Sequence, residues 1–115
     1  MPDYIVFCEI PFFVRRAETR DDAISIAIAE VGKFLNKNNL DKADIEVSQS
    51  RCPSCGGLFE SVLMIGTQAL VGIEVSLKIF NAVSEEHAIK ITKKKLGAAV
   101  GERPIEILSV KRISV

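Results

Sequence analysis

Residues 71–97 read VGIEVSLKIFNAVSEEHAIKITKKKLG, and residues 6–32 read VFCEIPFFVRRAETRDDAISIAIAEVG. Laid on each other without a gap, the two stretches are offset by 65 positions (71 − 6 = 65). Val6, Glu9, Ala17, Ala23, Ile24, Ile26 and Gly32 fall on Val71, Glu74, Ala82, Ala88, Ile89, Ile91 and Gly97, seven identities in the 30 pairs from residue 6 to 35. Random pairing at average residue usage gives about two. Any two strand–helix units share apolar spacing. The ungapped match and the shared glycine favour an internal duplication.

Each copy changes period in the same place. A β-rich run comes first, YIVFCEIPFFVRR in one copy and ALVGIEVSLKIFNA in the other. Thr19 and Ser84 follow as hydroxyl N-caps, with Asp21, Asp22, Glu85 and Glu86 where free amides and the helix dipole favour acids. Ile24, Ala27, Ile28, Val31 and Leu35 then form one apolar helical stripe, and Ala88, Ile89, Thr92, Leu96 and Val100 form its counterpart. Gly101 is placed to stop the second helix. Gly32 and Gly97 sit late in the helices, where a close helix–sheet approach would account for them.

A further strand closes each copy, ADIEVSQS at 43–50 and IEILSVKRI at 105–113. Two consecutive β-α-β units predict a ferredoxin-like α+β fold, an antiparallel sheet with both helices on one face. The repeat halves span about residues 4–50 and 69–115 of one domain, with an inserted Cys-x-x-Cys hairpin at about 51–68. In that hairpin strand two rises to Ser50, the cysteines occupy the tip, and Leu58 to Ile65 descends. The open sheet face and unpaired edges favour pairing with a second copy.

Fifteen basic and fifteen acidic residues cancel, so no global field draws the chain to nucleic acid or an acidic membrane. The N-terminus carries Asp3 where a secretory signal needs basic residues, and Glu9 and Pro11 break its apolar run. SVLMIGTQALVGIEVSLKIF at 61–80 is long enough for a membrane span, but Gln68, Glu74, Lys78, two glycines and many β-branched residues mark it as strands. Three cysteines, an odd number without a secretory context, point to a reducing cytoplasm rather than a disulfide framework.

Cys52-Pro-Ser-Cys55-Gly has the spacing of a zinc knuckle, in which two intervening residues bring both sulfurs to one tetrahedral ion. Pro53 fixes the turn, and Gly56 and Gly57 permit positive φ and let amides bend toward the sulfurs. Structural zinc needs four protein ligands, and the chain has no second Cys-x-x-Cys. Three completions follow: two knuckles in a symmetric dimer around one zinc, the addition of Cys8 and His87 within one chain, or a bridging iron–sulfur cluster. Cys8 also reads as a small buried hydrophobe, and His87 as a helix-start residue. The rival chemistry is a dithiol switch, since Cys-Pro-x-Cys resembles the glutaredoxin turn. There a following helix N-terminus lowers the thiol pKa; here Gly56 and Gly57 open a helix badly. A turn with neither metal nor redox role completes the alternatives.

Lys90, Lys93, Lys94 and Lys95 on helix two, with Lys111 and Arg112, form a candidate patch for phosphate backbones. Zero net charge and few aromatics favour a solvated helix face instead. Arg15, Arg16, Arg20 and Arg51 are dispersed, and Glu9 and Glu74 are matched by the repeat. A phosphate loop, a nucleophile elbow and a histidine cluster are all missing, which leans against an enzyme.

CPSCGGLFES together with TQALVGIEVSLKIFNAVSEEHAIKITKKKLG resembles an archaeal family, domain of unknown function 555, also called uncharacterised protein family 0212. The resemblance covers essentially the whole chain. It implies an archaeal cytoplasmic protein without an assigned reaction, and it brings no catalytic residues. Cys52 and Cys55 match its cysteine turn, while Cys8 lies outside that pattern. The expectation is a homodimer or higher homo-oligomer that serves as a binding or scaffolding module. Zinc would be held by Cys52 and Cys55 of two chains; a thiol redox or metal-handling protein and a nucleic-acid-binding module are the alternatives.

Overall fold

A computed structural model describes residues 3–37, 43–101 and 103–113. The remainder of the two expected halves, residues 38–42, 102 and 114–115, lies outside the described residues. In chain order the elements are β1 (Asp3–Val14), α1 (Arg20–Lys37), β2 (Asp44–Val47), β3 (Gln49–Arg51), β4 (Leu58–Glu60), β5 (Val62–Ile65), β6 (Gln68–Ile79), α2 (Glu85–Val100) and β7 (Glu106–Ile113). The 65-residue offset reappears in the boundaries. Strand β1 begins at 3 and β6 at 68, they end at 14 and 79, and the helices begin at 20 and 85.

The caps match too. Asp22 N–H donates to Thr19 Oγ1 at 3.1 Å, and His87 N–H donates to Ser84 Oγ at 3.2 Å. Gly101, at φ +71°, ends α2 by donating its amide to the Gly97 carbonyl at 3.0 Å.

The main sheet is antiparallel, in the order β2-β6-β1-β7, and β5 also pairs with β6. Alternation along the long strands makes one face apolar. Tyr4, Val6, Cys8, Ile10, Phe12 and Val14 of β1 are buried, as are Ala69, Val71, Ile73, Val75, Leu77 and Ile79 of β6. Both helices cover this face with Ala23, Ala27, Val31, Leu35, Ala88, Thr92, Leu96, Ala99 and Val100. Among the described residues the opposite face carries no helix. Residues 61–80 form β5, a turn at Gly66 and Thr67, and β6. Among the described residues no helix is long and apolar enough to cross a membrane.

Two expectations are corrected. Gly32 and Gly97 do not mark a close helix–sheet approach. A Cβ on Gly97 would meet nothing within 4 Å, and one on Gly32 would make an ordinary 3.9 Å contact with Ile45 Cδ1. The cysteine insertion is also not one continuous hairpin, because β2 and β5 both need the outer edge of β6. Strand β2 takes Ile73 to Ser76 and β5 takes Gln68 to Val71. Beyond Val47 the chain must therefore leave the main sheet, and β3 pairs with β4 as a separate two-stranded sheet.

The crossing point is a closed ring of three backbone hydrogen bonds. Ser48 N–H donates to the Gly72 carbonyl at 2.7 Å, Gly72 N–H to the Ser61 carbonyl at 2.8 Å, and Ser61 N–H to the Ser48 carbonyl at 2.8 Å. All three residues thereby satisfy backbone groups that a frayed sheet edge would leave open.

Candidate metal centre and the acidic sheet face

Strands β3 and β4 carry the cysteine turn at their tip. Cys52 N–H donates to the Gly57 carbonyl at 2.8 Å, and Gly56 N–H donates to the Cys52 carbonyl at 2.9 Å. Gly56 adopts φ +71°, a conformation that strains any residue with a Cβ. Arg51 Nη1 donates to the Gly56 carbonyl at 3.1 Å and braces the turn from outside. Gly57 N–H points to Cys55 Sγ at 3.4 Å, and a Cβ on Gly57 would lie only 3.3 Å from that sulfur.

The thiols are free, Cys52 partly exposed and Cys55 exposed. The Cys52 pKa is lowered, first by the Cys55 amide, then by the Ser54 amide and the Cys55 side chain. Amide donors favour the thiolate over the thiol because they stabilise the charged form. A thiolate is both the metal ligand and the nucleophile. The turn therefore suits a metal half-site by its donor set and its amide-to-sulfur hydrogen bonds.

Cys8 and His87 do not join it. Among the described residues no group of three or more His, Cys, Asp or Glu is arranged to hold a metal ion. Cys8 is fully buried on the helix-covered face of β1, and burial pushes its pKa from 9.0 to about 11. His87 sits in the first turn of α2, where its Nδ1 accepts from Val83 N–H at 3.0 Å. Lys90, Lys93, Lys94 and Lys95 are exposed on α2. The apolar side of α2 packs on the sheet, so these lysines belong to the side of the molecule away from the open face.

The open face holds a feature that composition conceals. Glu46, Glu74, Glu9 and Glu106 are successive cross-strand partners on β2, β6, β1 and β7. None of the four forms an ion pair among the described residues, where Lys33–Glu30 at 3.9 Å is the one pair present. Burial raises the Glu9 pKa, and the like charges of Glu106 and Glu74 raise it further. The Ser48 hydroxyl acts in the opposite sense from close by. Ser48 Oγ is nevertheless buried without a partner in hydrogen-bonding geometry. Ser50 Oγ and Ser61 Oγ are hydrogen-bonded at 2.6 Å beside it.

The repeat supplied half of this signal, since it equates Glu9 with Glu74. The other half is the strand register, which brings in Glu46 and Glu106. A one-residue bulge in β7 leaves Leu108 unopposed between Phe7–Ser109 and Cys8–Ile107, and it places Glu106 opposite Glu9.

The family model described as "Protein of unknown function (DUF555)" matches residues 4–113. A UPF0212 protein of Thermococcus sibiricus is 47% identical over 111 residues, covering 96% of this chain and 85% of its own. A UPF0212 protein of Methanocaldococcus jannaschii is 42% identical over 110 residues, covering 96% of each chain. Among solved structures, the de novo designed protein Foldit4 aligns over 98% of both chains at 9% identity and a TM-score of 0.30, too low for an argument about the fold. With its family model spanning residues 4–113 and its relatives 47% and 42% identical over 96% of the chain, the chain belongs to the DUF555 (UPF0212) family.

Proposed function

We propose that the protein is a homodimeric binding or scaffolding module in which Cys52 and Cys55 of two copies enclose one structural zinc ion. The carrying observation is the cysteine turn. Two free thiols sit at an exposed tip, the Cys52 sulfur is drawn toward the thiolate by the Cys55 and Ser54 amides, and no third ligand is at hand among the described residues. Two such turns supply the four thiolates that closed zinc sites use. The ion would fix the tips of two hairpins to each other, and its binding free energy would add to the stability of the folded dimer. A closed four-thiolate site has no open position for substrate, so the zinc in this reading is structural. The body that carries the turn fits a ferredoxin-like duplicated β-α-β unit, supported by the common 65-residue offset of strands, helices and caps.

The lowered Cys52 pKa also favours a second reading, a dithiol switch that closes a Cys52–Cys55 disulfide. The strand β4 follows the turn, so the helix dipole that activates glutaredoxin-type thiols is not supplied here.

Native mass spectrometry of protein purified without added metal, with elemental analysis alongside, separates the readings. The zinc reading expects a dimer carrying one zinc, with metal and dimer lost together in Cys52→Ser. A metal-free chain that gains two hydrogens on reduction would replace it with the switch.

A further inference from the structure

A cleft of about 340 Å³ opens between the bare face of the sheet and the root of the cysteine hairpin. Its walls include Phe59, Leu63 and Leu70, which remain 47%, 58% and 46% exposed. Leu63 and Leu70 are cross-strand partners, and Phe13 opposite Leu70 extends the apolar surface at 51% exposure. Large apolar side chains gathered on one exposed face mark a binding surface more often than isolated ones do.

The polar end of the cleft is Glu9 with the Ser50–Ser61 hydroxyl pair. Glu9 reaches there because Gly72 has no side chain. A Cβ on Gly72 would be 2.8 Å from Glu9 Oε1, 3.1 Å from Ser61 Cβ and 3.3 Å from Ser48 Cβ. Glu9, Ser61 and Ser48 thus converge on one spot. Ser48 is only 2% exposed, so the hydroxyls that line the cleft beside Glu9 are those of Ser50 and Ser61. Glu74 and Glu106 flank Glu9 with uncompensated negative charge, so an anion is repelled and a cation is drawn in.

From this arrangement we propose that the cleft binds a small organic cation, a primary amine bearing an apolar chain. The ammonium group donates to Glu9 and the neighbouring serine hydroxyls, and the chain lies against Phe59, Leu63 and Leu70. An ammonium offers three donors and no acceptor. That pattern matches a carboxylate beside hydroxyl oxygens. Pocket chemistry of this kind, mostly apolar with a few convergent polar groups, is the usual form of a small-molecule site. The assignment does not depend on the zinc reading, because none of the residues involved is a cysteine.

The test is titration of the full ¹⁵N-labelled chain, followed by amide chemical shifts, with n-hexylammonium chloride as the probe. The expected result is saturable shifts centred on Phe59, Ser61, Leu63 and Gly72. Ethylammonium, which lacks the apolar chain, and hexanoate, which reverses the charge, should both bind much more weakly. Glu9→Gln should weaken hexylammonium by about tenfold or more, the scale of one charge-assisted hydrogen bond. Leu63→Ser should weaken it several-fold with the carboxylate intact. Equal binding of hexanol, undiminished binding to Glu9→Gln, shifts centred elsewhere, or no saturable shift would each overturn the proposal.

Discussion

Glu9 and Glu74 stand at the 65-residue offset that the long strands and the helices share (74 − 9 = 65) and are also direct cross-strand partners on β1 and β6. Antiparallel register pairs residues whose numbers sum to 83, as in Tyr4–Ile79 and Val14–Ala69. The repeat offset and this sum are satisfied together only at residue 9. Along β1 and β6, residues 65 apart therefore face each other only at Glu9 and Glu74, and two glutamates meet there.

The cost of that meeting should be measurable. The Glu9 pKa is raised above 4.5 by burial and by Glu106 and Glu74. Folding thus favours the protonated form. The stability linked to this group is present below pH 4.5 and is lost as the pH rises through the raised value. Glu9→Gln removes the like charge and should stabilise the protein at neutral pH. The gain should shrink as the pH falls and wild-type Glu9 takes up a proton. Urea denaturation at a series of pH values checks both the sign and the trend.

Two glycines should respond in opposite directions to the same substitution. Gly72→Ala places a methyl group 2.8 Å from Glu9 Oε1 and 3.1 Å from Ser61 Cβ. Overpacking of this kind costs about 1–3 kcal/mol. Gly97→Ala lies inside α2 with open space where the methyl would go. It should stabilise by about 0.5–1 kcal/mol, the usual helix-interior difference between the two residues. Midpoints of chemical denaturation for the two variants give the comparison directly.

The three cysteines should separate by reactivity. In metal-free reduced protein, Cys52 should alkylate at a lower pH than an unstructured thiol, because the Cys55 and Ser54 amides stabilise its thiolate. Cys8, fully buried and with its pKa raised to about 11, should stay unmodified until the chain unfolds. Its pKa is higher folded than unfolded, so stability should also decline as the pH climbs from 9.0 toward about 11. Peptide mapping after timed iodoacetamide treatment distinguishes the sites. Added zinc should protect Cys52 and Cys55 together and leave Cys8 unchanged.

Much of this architecture is written in short-range signals. Thr19 and Ser84 announce their helices because a hydroxyl before two acids has one favourable place, and both cap where expected. The alternation in β1 and β6 is equally local, as is the turn chemistry around Cys52, Cys55 and Gly56. The break in the insertion was hidden because it is settled by competition. Nothing within residues 43–51 says that β5 already holds the edge of β6 that β3 would otherwise use. The acidic row was half visible. Parity placed Glu9 and Glu74 on one face, whereas Glu106 reaches Glu9 through the β7 irregularity at Leu108, which no local pattern encodes. Gly32 and Gly97 misled for a related reason: their spacing repeats, yet neither meets a crowding neighbour.

The chain passes from the main sheet to the cysteine hairpin at Ser48 and returns at Ser61, and both crossings are tied to Gly72. The hairpin is therefore a lever with one pivot. Any tilt of its tip must be taken up where Ser48, Ser61 and Gly72 meet, beside the Glu9 carboxylate. With both crossings held at one place, the position of the cysteine tip over the sheet is set by the short ring of Ser48, Ser61 and Gly72.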